Sequence, residues 1–474
     1  MNSLLKLCSG GDLLYDLLLK GGLIVDPKNG IEDIMDIAIT GSKIAEVASE
    51  IDARKAKVAI NVSGKIVFPG VIDTHVHLRR LGYRMVAKAG VTTALDMGSP
   101  AKEIIEDLKV YGSGINVAFL TNIRTYYPNA GADLTDSQIE EAVDRALSEG
   151  ALGIKITGGH RPFTPKTTAK IIEECNRQMA YIAFHVGTTE TGSDLNGLIE
   201  AVELAGSNGL HIAHINSYCR GLIKDPIVEA LEALKHLRGK RNIASESYLA
   251  LINGTSGKCE NGVPVSRVTR NCLRMRGYPE TFDGIKQAIL DGYAHVNVKA
   301  GGEVMLVTGE DGVKYWLEAE TDITLSFPVN DPEAQIVLAT AKDSGGEFII
   351  DAISTDGGAI PRNVAIEKGM LLVKFGALSL SELAVKLSLN PARMLGLESK
   401  GHLGVGADAD VTVVDPSTCK ACMGIARGEV IMINDIVVGR GGCILTTERG
   451  REAIERANVP YKVIDLSKTK IYSR

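Results

Sequence analysis

The sequence carries no stripe or run of lysine and arginine: its 52 basic residues are scattered among 58 acidic ones, for a net charge of −6. Without a basic footprint, nucleic acid is not expected as a partner. Long apolar runs are missing as well. The leucine-rich segment Leu4–Leu19 is broken by Gly10-Gly11, Asp12 and Asp16, short of the roughly 20 apolar residues that cross a bilayer. The same segment lacks the small-residue cleavage pattern of a signal peptide, so the expectation is a soluble, cytoplasmic protein that meets no membrane. Cysteine is thin, 8 in 474 residues, and spread out, which argues against the disulfide framework of a small secreted domain. Cys419 and Cys422 make one CxxC pair; with no second pair nearby, neither a zinc site nor a redox role is expected of it.

What is present is ordinary globular material, 45% hydrophobic and 23% charged, enough for a large core. The length calls for two structural units. From Asp16 to Val67 short apolar runs alternate with glycine turns, as in Leu17–Val25, Asp36–Ile39 and Lys43–Val47. These read as strands of a small β-sheet. After Val67 the rhythm becomes strand, loop, helix. Apolar runs recur at Ile66–Ile72, Val91–Leu95, Ile115–Leu120, Leu152–Ile156, Tyr181–Phe184, Leu210–Ile215, Asn242–Ser245, Ala294–Val298 and Phe348–Ile353. That makes nine candidates, one more than an eight-stranded barrel needs. Continuous apolar runs alternating with amphipathic helices point to parallel βα units, and a (β/α)8 barrel closes that many repeats. Residues 250–290 show no clear period, and 301–327 read as a hairpin of Val304–Val307 and Val313–Leu317; both are expected as loop insertions near the barrel mouth, suited to a substrate lid. Short strands return at Ala409–Val414, Gly428–Ile433 and Ile436–Val438. The expected architecture is therefore α/β: a TIM barrel over 67–399, with insertions around 250–345, and a small β-sandwich built from both termini, 12–66 and 400–460.

The chemistry begins at Asp73-Thr74-His75-Val76-His77-Leu78-Arg79. On a strand, residues i and i+2 face one side, so His75 and His77 converge, and imidazole suits zinc and similar ions. An HxH pair alone is weak evidence. Its company is stronger: His185 ends the run Tyr181–Phe184, His214 lies in Leu210–Ile215, and Asp356 follows Ile353-Ser354-Thr355. All sit at C-terminal ends of expected strands, where barrel enzymes place catalytic groups. Lys155, in Gly153-Ile154-Lys155-Ile156-Thr157, is a charge on a buried strand that must be neutralised or paired. An internal salt bridge would do this; so would addition of carbon dioxide, giving a carbamate with two oxygens.

Together these strings resemble the amidohydrolase superfamily, in its binuclear branch of dihydroorotases, hydantoinases, isoaspartyl dipeptidase and D-aminoacylases. Ser388-Leu389-Asn390-Pro391-Ala392-Arg393 resembles the family's final barrel helix, and Gly401–Val411 its return into the β-domain. The resemblance implies hydrolysis of a non-peptide C–N bond, in a cyclic amide or ureide or an N-acyl amino acid, by a hydroxide shared between two divalent ions, zinc being the expected metal. It implies that His75, His77 and Asp356 hold one ion, His185 and His214 the other, and carboxylated Lys155 bridges them. Asp356 would carry the proton from water to the departing nitrogen. The partners expected are a small-molecule substrate and further copies of the chain in a homo-oligomer.

Arg79 stands where dihydroorotase-like members hold a substrate carboxylate; a structural ion pair is the other reading. Asp96-Met97-Gly98-Ser99 keeps only the first half of the Asp-Met-Pro-Asn-like string of dihydroorotases, which counts against dihydroorotate. Tyr218 and Arg362, with Ser217, Asn216 and His160, lie just past strand ends and are candidate substrate contacts. His211, His236, His295 and His402 are assigned to structure. The rival functions are a deaminase of the same superfamily, which typically lacks the bridging lysine, a formyl-group hydrolase, and a non-enzymatic scaffold that has lost its ligands.

Overall fold

The computed structural model describes residues 5–7 and 13–473; residues 4 and 8–12 of the leucine-rich segment, including the expected boundary at 12, lie outside them. Eight parallel strands form the barrel: β1 Val71–His77, β2 Val91–Gly98, β3 Ser113–Asn122, β4 Gly153–Thr157, β5 Tyr181–His185, β6 Leu210–Ile212, β7 Ile243–Tyr248 and β8 Ala352–Ser354. Each pairs with its neighbour in sequence order. Closure is split. Ala352–Ser354 pairs with β7, and Gly357–Gly358, after a break at Thr355-Asp356, pairs with β1. The break leaves Asp356 free of the ladder at the barrel mouth.

A second sheet has strands from both ends of the chain. Ile66–Pro69 pairs antiparallel with Val411–Asp415, Pro69 opposite Val411, so entry to and exit from the barrel lie side by side. Alternate residues Leu17, Leu19, Ile37, Ile39, Val411 and Val413 fill its core, the period-two pattern of a strand with one packed face. The run Ile66–Ile72 is divided at Gly70. A Cβ there would lie 2.3 Å from Thr92 Oγ1 and 2.7 Å from the Asp410 Cβ, so only glycine lets the chain pass from one sheet to the other. Gly441–Thr446, expected within the small sheet, instead runs parallel to β3.

The ninth run is not a barrel strand. His295–Ala300 pairs with Glu303–Val307 and Thr324–Ser326 in a four-stranded sheet inserted between β7 and β8. Trp316, Phe327, Val296 and Leu325 form a core of its own. The expected hairpin of Val304–Val307 with Val313–Leu317 is corrected. The hairpin is 295–307, turning at Gly301-Gly302 with φ of 60° and 81°, the left-handed pair a tight two-residue turn requires. Gly309–Glu318 is a helix: Val313 and Trp316 are buried three residues apart, a helical spacing, with Glu310 and Asp311 in the first turn. Among the described residues no helix is long and apolar enough to cross a membrane.

Candidate metal centre

His75 and His77, two residues apart on β1, reach the same carboxylate. Their Nε2 atoms lie 3.4 and 3.1 Å from Asp356 Oδ1, and one ligand atom of each of the three falls within 4.8 Å of the others. The second pair of histidines meets beside them. His214 Nε2 is 3.0 Å from His185 Nδ1, and the His214 ring stacks on His75 with centroids 5.0 Å apart. Burial holds His75, His185 and His214 well below the ordinary imidazole range, so each presents a lone pair. Burial also opposes ionisation of Asp356, but Arg362 and the neighbouring histidines outweigh it and hold the carboxyl well below its usual range.

Lys155 on β4 enters the same cavity. Its Nζ contacts Met97 Sδ at 3.6 Å and, among the described residues, pairs with no carboxylate. Burial pushes its pKa down to about 8, with Glu246 and Asp356 pulling the other way. The internal salt bridge, one of the two readings of this lysine, is therefore absent among the described residues.

Sequence reasoning missed Glu246, on β7. Its Oε1 accepts from the His214 backbone N–H at 2.7 Å and sits 2.7 Å from His75 Nδ1; its Oε2 accepts from the Ser354 hydroxyl. One buried carboxylate thus ties β1, β8 and the residue beyond β6. The His75 contact directs Nε2 toward Asp356. The His214 contact supports a backbone at φ 35°, ψ 64°, a left-handed position that costs a non-glycine residue about 1–3 kcal/mol. Asp356 is also left-handed, φ 48°, and Asp73 steadies it by accepting from both the N–H and hydroxyl of Thr355. The signal for Glu246 was the one that exposed Lys155, an ionisable residue inside a barrel strand.

The substrate-contact candidates divide. Arg79 is exposed in a left-handed turn past β1, φ 30°, and does not line the cavity. Tyr218 is buried behind it, its hydroxyl accepting from the Val186 N–H at 3.0 Å. Arg362 lines the cavity but turns inward, 2.6 Å from Asp356 Oδ2 and 2.6 Å from the Asp356 carbonyl. His160 faces His185 at 5.0 Å between centroids, and burial lowers its pKa to about 4. Arg220 and Tyr248, unremarked in the sequence, are in the wall. The cavity measures about 70 Å³, closed on one side by Asn253, Gly254 and Val268 of the insertion.

Four imidazoles, three of them held neutral by burial, a carboxylate and a buried amine make a donor set that fits divalent ions. His214 Nδ1 is buried without a partner among the described residues, as suits a ring awaiting an acceptor or a ligand. Family comparison agrees with the geometry, since the model of the Amidohydrolase family matches residues 66–445. The chain belongs to the amidohydrolase family. This amidohydrolase is 24% identical over 445 residues to a dihydroorotase of Trichlorobacter lovleyi, covering 85% of this chain and 90% of that one. It is 24% identical over 429 residues to the dihydroorotase of Streptococcus pneumoniae serotype 4, covering 84% and 90%. Among solved structures it resembles a D-aminoacylase, with a TM-score of 0.67, 17% identity and coverage of 90% and 99%. It also resembles a D-hydantoinase, at 0.60 and 18%, covering 91% and 98%. Amidohydrolases of this branch are metal-dependent hydrolases of non-peptide C–N bonds, and so is this chain.

Proposed function

We propose that this amidohydrolase opens a cyclic amide or ureide, or cleaves an N-acyl amino acid, using two zinc ions. His75, His77 and Asp356 would hold one ion and His185 and His214 the other, and Lys155, carboxylated, would supply oxygen ligands shared by the two. The observation that carries this reading is the convergence of four imidazoles, Asp356 and a Lys155 that pairs with no carboxylate among the described residues on one cavity at the C-terminal ends of the strands. Bound divalent ions supply Lewis acidity toward the carbonyl and make water acidic enough to lose a proton near neutral pH. The chain's own residues do the rest. Asp356 keeps Oδ1 toward the histidines because Arg362 takes Oδ2. It accepts a proton from the attacking water as that oxygen bonds to the carbonyl carbon, then gives it to the nitrogen as the C–N bond breaks. The buried wall keeps bulk water from the reacting atoms.

The test is turnover by enzyme reconstituted with zinc and bicarbonate. Hydantoins, dihydrouracil and dihydroorotate are set against N-acyl-D-amino acids and β-aspartyl dipeptides. Activity on either group supports the proposal; silence on both redirects it to deamination or formyl-group hydrolysis.

Two variants probe the surroundings. Glu246→Gln removes the charge behind His75 and is expected to weaken binding of the first ion by about 10- to 100-fold, measured by zinc content across a chelator titration; unchanged affinity removes the role. Arg79→Met is expected to shift KM less than about twofold, because a solvated surface arginine contributes little; a large rise in KM restores the carboxylate role to Arg79.

The homo-oligomer belongs to the same proposal. Val228 and Leu231 on one outer helix and Ile336 on its neighbour are exposed, and sedimentation velocity reads the assembly state. Cytoplasmic residence is supported by seven described cysteines, Cys419 and Cys422 included, that form no disulfide.

A further inference from the structure

A second cavity, about 690 Å³ in volume, lies at the opposite end of the barrel from the metal centre. It opens at the N-terminal ends of β7 and β8, where Arg241 and Asp351 lead into Ile243 and Ala352. The short helix Asn390–Met394, the turn at Lys28 and the tail after Leu466 form its other walls. No residue lines both this cavity and the metal cavity. Its volume falls within the range of small-molecule sites, about 300–1,000 Å³.

The wall is cationic, although the chain carries a net charge of −6. Lys400 is matched by Asp408 and Asp410, at 3.0 and 2.5 Å, and Lys470 by Asp351, at 2.5 Å. Lys28, Lys240, Arg241, Arg393 and Lys468 also line the cavity, and among the described residues none of these five forms an ion pair. Lys28 donates only to the Glu398 carbonyl, at 3.3 Å, and Arg393 only to Asn390 Oδ1, at 3.4 Å. The five come from four separate stretches of chain, and like charges gathered round one space repel. Three unpaired carboxylates share the wall, Asp343, Glu347 and Glu398. Asp343 Oδ1 already accepts from the Gly345 and Glu347 N–H groups. Five cations against three carboxylates leave an excess of two positive charges. A phosphate monoester carries about −1.5 to −2 near neutral pH, and arginine presents a planar fork that matches phosphate oxygens. Leu237, Phe348, Leu389 and Leu397 add apolar surface to the same wall, which suits an organic body attached to the phosphate.

We propose that this cavity binds a small phosphorylated organic molecule, at a ligand site separate from the metal centre. The site is independent of the amide hydrolysis proposed above, so either reading can fail without the other.

The test is calorimetry on the zinc-loaded enzyme with AMP and glucose 6-phosphate. Each is compared with its unphosphorylated parent, adenosine or glucose, and with inorganic phosphate. At least one phosphorylated probe is expected to bind about 10- to 100-fold more tightly than its parent, the scale of charge-assisted hydrogen bonds, and more tightly than inorganic phosphate. Replacing Lys240 and Arg241 together (Lys240→Ala, Arg241→Ala) is expected to bring that ratio near one. Both side chains are exposed and outside the metal cavity, so zinc content and melting temperature should hold. Arg393→Met, on a different wall, is expected to lower the ratio independently. The proposal is overturned if neither phosphorylated probe outbinds its parent, or if the preference survives all three substitutions. A preference that survives them and disappears on zinc removal places the anion on the metals, which also overturns it. Inorganic phosphate binding as tightly as the esters overturns the organic ligand.

Discussion

Lys155→Ala is expected to lower kcat/KM by at least about 10³-fold, the scale of losing a group that stabilises developing charge in a closed site. The lysine has no carboxylate partner among the described residues, and burial brings its pKa down to about 8. Near neutral pH a useful fraction is therefore an uncharged amine. That amine can attack carbon dioxide through its lone pair and lose a proton, giving the carbamate that the proposed metal site calls for. Alanine removes both oxygens and leaves a hole. Zinc is expected to fall from two ions per chain toward one, and short carboxylic acids such as acetate or propionate are expected to restore part of the activity by filling the hole with a carboxylate. Full turnover in the variant, or two tightly held ions without added acid, would remove the bridging role. The melting temperature of the metal-free variant should not fall, because no ion pair is broken and an isolated buried amine is lost.

Asp356→Asn is expected to be nearly as severe, lowering kcat by about 10²–10⁴-fold, the range for general acid–base groups. The side chain keeps its shape but loses its basicity and its charge. Its carboxyl is held well below the usual range by Arg362 and the histidines despite burial, so it is ionised across the working pH range. The amide also leaves Arg362 buried without a counter-charge, so zinc content and stability are to be read beside kcat. Loss of turnover with zinc retained places the effect in proton transfer. Loss in proportion to zinc makes Asp356 a ligand before a base, and unchanged turnover removes both roles.

The barrel was legible because parallel strands buried on both faces read as apolar runs, and eight of the nine runs contribute barrel strands. The ninth, Ala294–Val298, failed for a physical reason: a strand buried in a small inserted sheet presents the same apolar run as a barrel strand. Only the pairing of His295–Ala300 with Glu303–Val307 tells them apart. Val313–Leu317 misread as a strand because a short apolar stretch fits either period, and burial of Val313 and Trp316 on one helix face decided it.

The candidate ligands were legible by residue type and position. Imidazole and carboxylate at the ends of apolar strands have few other reasons to be there, and a lysine between isoleucines is a conspicuous expense. The residues that orient them were not. Glu246 lies 171 positions from His75, and nothing local to either predicts the pair.

By itself, then, the sequence determined the period of the longer elements, the donor types at the strand ends and the family. Those properties are local, carried by spacing along one strand or one motif. The tertiary structure decided which charges find partners. It spent Arg362 on Asp356, left Arg79 in solvent and turned Arg220 toward the cavity, with no carboxylate paired to it among the described residues. Charge pairing depends on distances across the barrel and on exclusion of water, which exist only once the strands have closed.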